Sequence, residues 1–187
     1  MKPIRTFIAI KLNNDIRHAL INIQKDLQTA DANVKWVEPQ NIHLTLKFLS
    51  DTDPSLLNAI KATLDKITRT TPAFDITLSN LGAFPDLTRP EIIWAEITNG
   101  ALPLMHIFNK LEQELDFLGF KKEGRAFSAH VTLGRVKGLR NVECLARNIT
   151  ETKIPAGLSQ KIGSLTLFES KITHQGPTYT ELHTTSE

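Results

Sequence analysis

The 187-residue sequence contains one cysteine, Cys144. A single thiol excludes an internal disulfide and any multi-cysteine metal site, and it fits a reducing cytoplasm. No apolar run approaches the roughly 20 residues that a membrane-crossing helix needs. The opening MKPIRTFIAI has too short an apolar part before polar residues resume, so it reads poorly as a signal peptide. Charge of neither sign dominates. The 22 Lys and Arg against 20 Asp and Glu leave a net +2, which tolerates an anionic substrate without demanding one. A Gly-rich phosphate loop of the P-loop type is missing, so ATP dependence is not indicated. No low-complexity linker divides the chain. Asp and Glu form no evident pair for a metal or glycosidase mechanism.

What is present is an ordinary globular composition, 41% hydrophobic and 22% charged, with length for one domain or two small lobes sharing a core. Within it, His43-Leu44-Thr45-Leu46 recurs as His130-Val131-Thr132-Leu133. Both copies alternate polar and apolar, the period of a half-buried strand, so His and Thr share one face and the apolar residues the other. The copies lie 87 residues apart, close to half the chain. That spacing points to a duplicated unit.

The flanking periodicities agree with duplication. Strands are expected over 5–10, 34–37 and 42–49, with a helix over 15–29 capped by Asn13 or Asn14. Asp53-Pro54 opens a second helix with the stripe Leu56/Leu57, Ile60, Leu64 and Ile67. A strand over 74–78, a loop over 81–90 and a strand over 92–97 come next. A helix then carries Leu104, Ile107/Phe108, Leu111, Leu115 and Leu118, and ends at Gly119. The second His strand spans 129–136. A helix over 142–150 and strands over 165–168 and 178–183 complete the chain. Strand, helix, strand and His strand thus recur in both halves, which should pack as one body.

A lone strand histidine is more often a hydrogen-bonded structural residue than a catalyst. Repetition of both His and Thr gives a structural role nothing to explain. Zinc needs three or four protein ligands, and two histidines fall short. Imidazole, with an ordinary pKa near 6.5, can hold a proton on one ring while its partner lacks one. Two such rings across a cleft supply a general acid and a general base without metal or other cofactor. Thr45 and Thr132 offer hydroxyl donors for developing phosphoryl charge, and Arg135 a planar cation suited to phosphate.

At these residues the chain resembles the 2H phosphoesterases, and within them the RNA 2′,3′-cyclic phosphodiesterases, also called 2′-5′ RNA ligases. The resemblance extends through VKWVEPQNIHLTLKFL, LGAFPDLTRPEIIWAEI, FSAHVTLGRVKG and LFESKITHQGPTYTELH, in the expected order from Arg5 to His183. One departure is Ser50, where the family has Gly after Phe-Leu; it should alter a turn and leave the chemistry intact. The resemblance implies an α+β fold that is bilobed and duplicated. Two antiparallel sheets related by a pseudo-two-fold line a central cleft, with helices outside. It also implies metal-independent hydrolysis of an RNA or nucleoside 2′,3′-cyclic phosphate to a 2′-phosphate. His43 would be the proton donor and His130 the proton acceptor, with 2′-5′ ligation as the same chemistry run backward.

Position +5 of each motif holds Phe48 and Arg135. Strict alternation puts both on the core face. Gly134 permits a bulge that turns Arg135 into the cleft. Phe48 reads as core, and as a substrate contact if its strand turns likewise, when the two would sandwich a nucleobase. Lys47 shares the His43/Thr45 face if the strand stays regular. His18 and His106 fall on helices, His174 and His183 near the end, outside the repeat. Arg89 is a candidate RNA-backbone contact. The expected partners are RNA ends or nucleotides bearing a 2′,3′-cyclic phosphate, with no membrane and no obligate protein partner. A protein that binds RNA ends with little turnover is the competing reading.

Overall fold

The computed structural model describes residues 2–174 and 176–186. Its elements run β1 (Ile4–Lys11), α1 (Asn14–Gln28), β2 (Val34–Trp36), β3 (His43–Thr52), α2 (Leu57–Arg69), β4 (Phe74–Phe84), β5 (Ile92–Asn99), α3 (Ala101–Asp116), β6 (His130–Val136), α4 (Val142–Glu151), β7 (Ser159–Ile162), β8 (Thr166–Thr173) and β9 (Gly176–Thr184). Two antiparallel sheets form, one in the order β3-β1-β8-β9 and the other β2-β6-β5-β4-β7. The first order matches β6-β5-β4-β7 of the second, position for position. Each half therefore contributes a strand, a helix and a His strand (β1-α1-β3 and β5-α3-β6) to its own sheet. The halves also exchange pieces: β2 joins the second sheet, and β8 and β9 return to the first.

The helices form where apolar stripes need covering. Asn13 caps α1 by accepting the Ile16 N–H at 2.9 Å, and Ile16, Leu20, Ile23 and Leu27 are all buried. Ile60, Leu64 and Ile67 of α2, and Leu104, Ile107, Leu111 and Leu115 of α3, join the same cluster as Ile8 and Ile10 of β1 and Val131 and Leu133 of β6. One continuous core thus backs both sheets. The opposite faces line the cleft. Among the described residues no helix is long and apolar enough to cross a membrane.

Three expectations need correction. Pro54 opens a 3₁₀ turn, Pro54–Leu56, and α2 begins only at Leu57. The loop expected over 81–90 starts later, because β4 stays paired with β5 through Phe84. Strand β7 has no counterpart among the expected elements: Ser159-Gln160-Lys161-Ile162 buries only Ile162, and an edge strand need not show an apolar alternation.

Both His strands carry a bulge at the same motif position. Leu46 is the extra residue between Thr45 and Lys47 in β3, and Leu133 between Thr132 and Gly134 in β6. Each is braced by a buried polar residue on the other half's helix. Gln24 of α1 donates to the carbonyls of Leu133 (2.8 Å) and Val37 (2.9 Å). Glu112 of α3 pairs with Lys47, which follows the first bulge.

Candidate active site

The two histidines are presented alike. His43 donates its Nδ1 hydrogen to the Asn41 carbonyl at 2.6 Å, and His130 donates its own to the Ser128 carbonyl at 2.8 Å. A carbonyl only accepts, so Nδ1 carries hydrogen in both rings and Nε2 is left for chemistry. Asn41 is itself fixed, its side-chain amide donating to Pro177 O at 2.8 Å. At His43, Nε2 lies 2.9 Å from Thr45 Oγ1. Neither His130 Nε2 nor Thr132 Oγ1 has a hydrogen-bond partner among the described residues.

Aromatic rings flank the imidazoles, several at His43 and one at His130. Phe7 lies 5.0 Å from His43 between centroids and Tyr179 meets it edge-on at 5.4 Å, while Phe84 meets His130 edge-on at 5.2 Å. Burial is the main reason both imidazoles are held below their ordinary pKa. The carbonyl bond raises each in part, and the Arg135 charge lowers His130 further. Burial raises the Tyr179 phenol, against the opposing pull of Arg135 and Arg5. Arg135 on the second sheet is therefore felt by Tyr179 on the first, beside His43. β3 and β6, the strands that carry the two imidazoles, contact one another beside the cleft.

The bulges decide what else points there. After Leu133, Arg135 pairs with Ile92 as Thr132 pairs with Trp94 and His130 with Glu96, so Arg135 stands on the histidine face, as expected. Gly134 serves a different purpose from the one anticipated. It is not in the left-handed region; a Cβ there would come within 2.7 Å of Val34 and 3.0 Å of the Trp36 ring. The glycine makes room for packing behind the bulge. Gly82 does the same on the cleft side, where a Cβ would meet the Trp94 ring at 2.4 Å.

In β3 the equivalent bulge overturns two readings. Phe48 is not core: it is 53% exposed, pairs across from Phe7, and lies 6.0 Å from the Phe7 ring. Lys47 is neither on the His43 face nor solvated. It is 1% exposed, ion-paired to Glu112, and donates to the Lys121 carbonyl at 2.8 Å. Ser50 lies within β3 rather than in a turn, next to a second bulge residue, Leu49, and adopts φ 56°. That is the conformation for which glycine is best suited.

Sequence reasoning missed Phe7, Phe84, Trp94, Phe168, Tyr179 and Arg5, because no repeat marks them and only the sheet pairing gathers them. The other histidines stay apart. His183 pairs with Asp65 at 2.7 Å, and His18, His106 and His174 are exposed. Arg89 is exposed on the loop after β4, its N–H donating to Asp86. Among the described residues no three His, Cys, Asp or Glu gather as a metal would require.

Fold and paired His–Thr strands define a phosphoesterase of the LigT type, and the LigT-like phosphoesterase model matches residues 10–94. The RNA 2′,3′-cyclic phosphodiesterase of Methanothermobacter thermautotrophicus is 34% identical over 183 residues, covering 96% of each chain. That of Aeropyrum pernix is 35% identical over 150 residues, 80% of this chain and 84% of its own. The crystal structure of TT0787 from Thermus thermophilus superposes with a TM-score of 0.81 at 25% identity, covering 97% of both chains. The chain belongs to the RNA 2′,3′-cyclic phosphodiesterase family of the 2H phosphoesterases.

Proposed function

We propose that the protein hydrolyses the 2′,3′-cyclic phosphate of an RNA end or nucleotide to a 2′-phosphate, without metal, using His43 as proton donor and His130 as proton acceptor. The observation that carries the reading is the duplicated tether: each Nδ1–H is tied to the carbonyl two residues before it, which reserves Nε2 of both rings, that of His43 resting on the Thr45 hydroxyl, to meet one phosphate. The relatives' activity supplies the substrate class.

In this reading His130 Nε2 takes a proton from water as the oxygen attacks phosphorus. The P–O3′ bond breaks, and His43 Nε2–H delivers its proton to the departing O3′. The environments suit those roles. The neighbouring Arg135 charge favours neutral His130, while Thr45 Oγ1 can accept from a protonated His43 Nε2. Bound phosphate, being negative, draws protons toward both rings. The Thr132 and Thr45 hydroxyls and the Arg135 guanidinium stabilise the non-bridging oxygens. Phe48 and Arg135, on the histidine faces of opposite sheets, offer an aromatic and a guanidinium plane to the base. With an RNA 5′-hydroxyl in place of water, the same pair makes a 2′-5′ bond. We place the protein in the cytoplasm, where free Cys144 is stable.

The test is incubation with a 2′,3′-cyclic-phosphate-ended oligonucleotide in excess chelator, with the product isomer identified. A 2′-phosphate formed at the unchelated rate is expected, and His43→Ala or His130→Ala should each cost on the order of 10²-fold or more. A 3′-phosphate, or activity lost to chelator and restored by metal, contradicts the mechanism. Tight binding of the end with no turnover favours an RNA-end binding protein.

A further inference from the structure

Beyond the histidine cleft, a recess of about 510 Å³ opens between β3 and the segment that follows α3. Phe48 belongs to both. The far wall is made by Leu118, Phe120, Lys121 and Lys122. That wall is fastened from behind. Buried Lys47 donates to the Lys121 carbonyl at 2.8 Å, and the Glu123 N–H donates to Glu112 Oε2 at 2.6 Å. The Lys47–Glu112 ion pair thus does two things at once. It occupies the core side of β3, which leaves Phe48 on the cleft face, and it holds the opposite wall in place.

We propose that this recess is a subsite for the nucleotide immediately 5′ of the cyclic-phosphate end, so that an RNA end is the preferred substrate over a mononucleotide. The proposal rests on the phosphodiesterase reading above and extends it along the RNA chain. Its geometry is a path of rings. Phe7 lies 5.0 Å from His43 and 6.0 Å from Phe48, so the recess begins a short distance from the position of the reacting phosphate. Phe120, with Leu56 and Leu118, supplies apolar surface for a base next to the one on Phe48, and a base stacks on an aromatic whatever its identity. Lys121 is an exposed cation on the wall, Lys122 beside it pairs with Asp116 at 3.1 Å, and Asp51, Asp53 and Glu123 also line the recess. Asp51, cross-strand neighbour of Arg5, lines the near side with Asp53. A phosphodiester linking the two nucleotides would lie against Lys121 on the far wall, away from Asp51 and Asp53 on the β3 side.

The experiment compares kcat/KM for a mononucleoside 2′,3′-cyclic phosphate, a dinucleotide ending in the same group, and that dinucleotide with an abasic upstream residue. Wild type should favour the intact dinucleotide by about tenfold or more, the scale of one base–aromatic stack, and lose that preference with the abasic substrate. Phe120→Ala and Lys121→Glu should each reduce the dinucleotide rate severalfold and leave the mononucleotide rate unchanged. Lys121 is exposed, so its substitution separates the subsite from any folding defect at Phe120. Equal rates on all three substrates, or equal losses on mono- and dinucleotide in Lys121→Glu, overturn the subsite alone. Failure of wild type to turn over either intact substrate overturns the phosphodiesterase reading, and the subsite with it.

Discussion

Ser50 sits in a left-handed backbone conformation inside a strand, where an L side chain costs roughly 1–2 kcal/mol. Glycine relieves that strain but gains freedom in the unfolded chain, which takes part of the benefit back. Ser50→Gly should therefore raise unfolding free energy by about 0.5–1 kcal/mol in a denaturant titration. A loss of stability would mean that the Ser50 side chain makes a contact worth more than the strain. The same short stretch marks how far single residues are legible. His43, Thr45, His130 and Thr132 can be found from the sequence because alternation holds within four residues. Lys47 and Phe48 defeat the same reasoning because one unpaired residue, Leu46, reverses every facing after it. Nothing in the residue types announces that reversal, since β3 bulges without glycine.

At the level of elements, the bulges depend on helices from the opposite half. Gln24→Leu keeps the side chain's approximate volume but withdraws a donor from the carbonyls of Leu133 and Val37. It should cost about 1–3 kcal/mol, and raise KM more than it lowers kcat if Arg135 loses its aim. The Lys47–Glu112 pair permits a sharper contrast. Glu112→Leu alone leaves an unpaired buried ammonium and should cost about 3–5 kcal/mol, whereas Lys47→Met with Glu112→Leu should recover much of that. Additive losses in the double variant, measured by denaturant midpoint, would contradict the pairing. The helices themselves are readable from their stripes: the expected start of α1 lies within one residue of Asn14 and its end within one of Gln28. Strand β7 is not, because an edge strand buries too little to leave a pattern.

For the molecule as a whole, duplication is visible as two motifs half a chain apart. The exchange of β2, β8 and β9 between sheets is not, since sequence periodicity carries no information about which sheet a strand joins. That exchange has a thermodynamic consequence. Ile8, Leu44, Leu111 and Leu133 belong to one cluster that draws on both sheets and all four helices. We propose on this basis that the halves form one domain. Calorimetry should then give one cooperative transition, with calorimetric and van't Hoff enthalpies equal. Two separable transitions would mean that the lobes fold independently.

The central claim is that His43 and His130 act together as acid and base on one phosphate, and the pH dependence of turnover tests it most directly. Donor protonated and acceptor neutral requires a rate that rises and then falls with pH, between apparent pKa values belonging to the pair. Burial holds both imidazoles below their ordinary value in the free protein, so the kcat/KM maximum should lie on the acid side of about 6.5. Bound phosphate raises both, so the kcat maximum should lie at higher pH than the kcat/KM maximum. His130→Ala should abolish the acid limb and His43→Ala the alkaline limb, each with a loss on the order of 10²-fold or more, about 3 kcal/mol of barrier. A flat profile in wild type, with near-wild-type rates in either variant, would contradict paired acid–base catalysis.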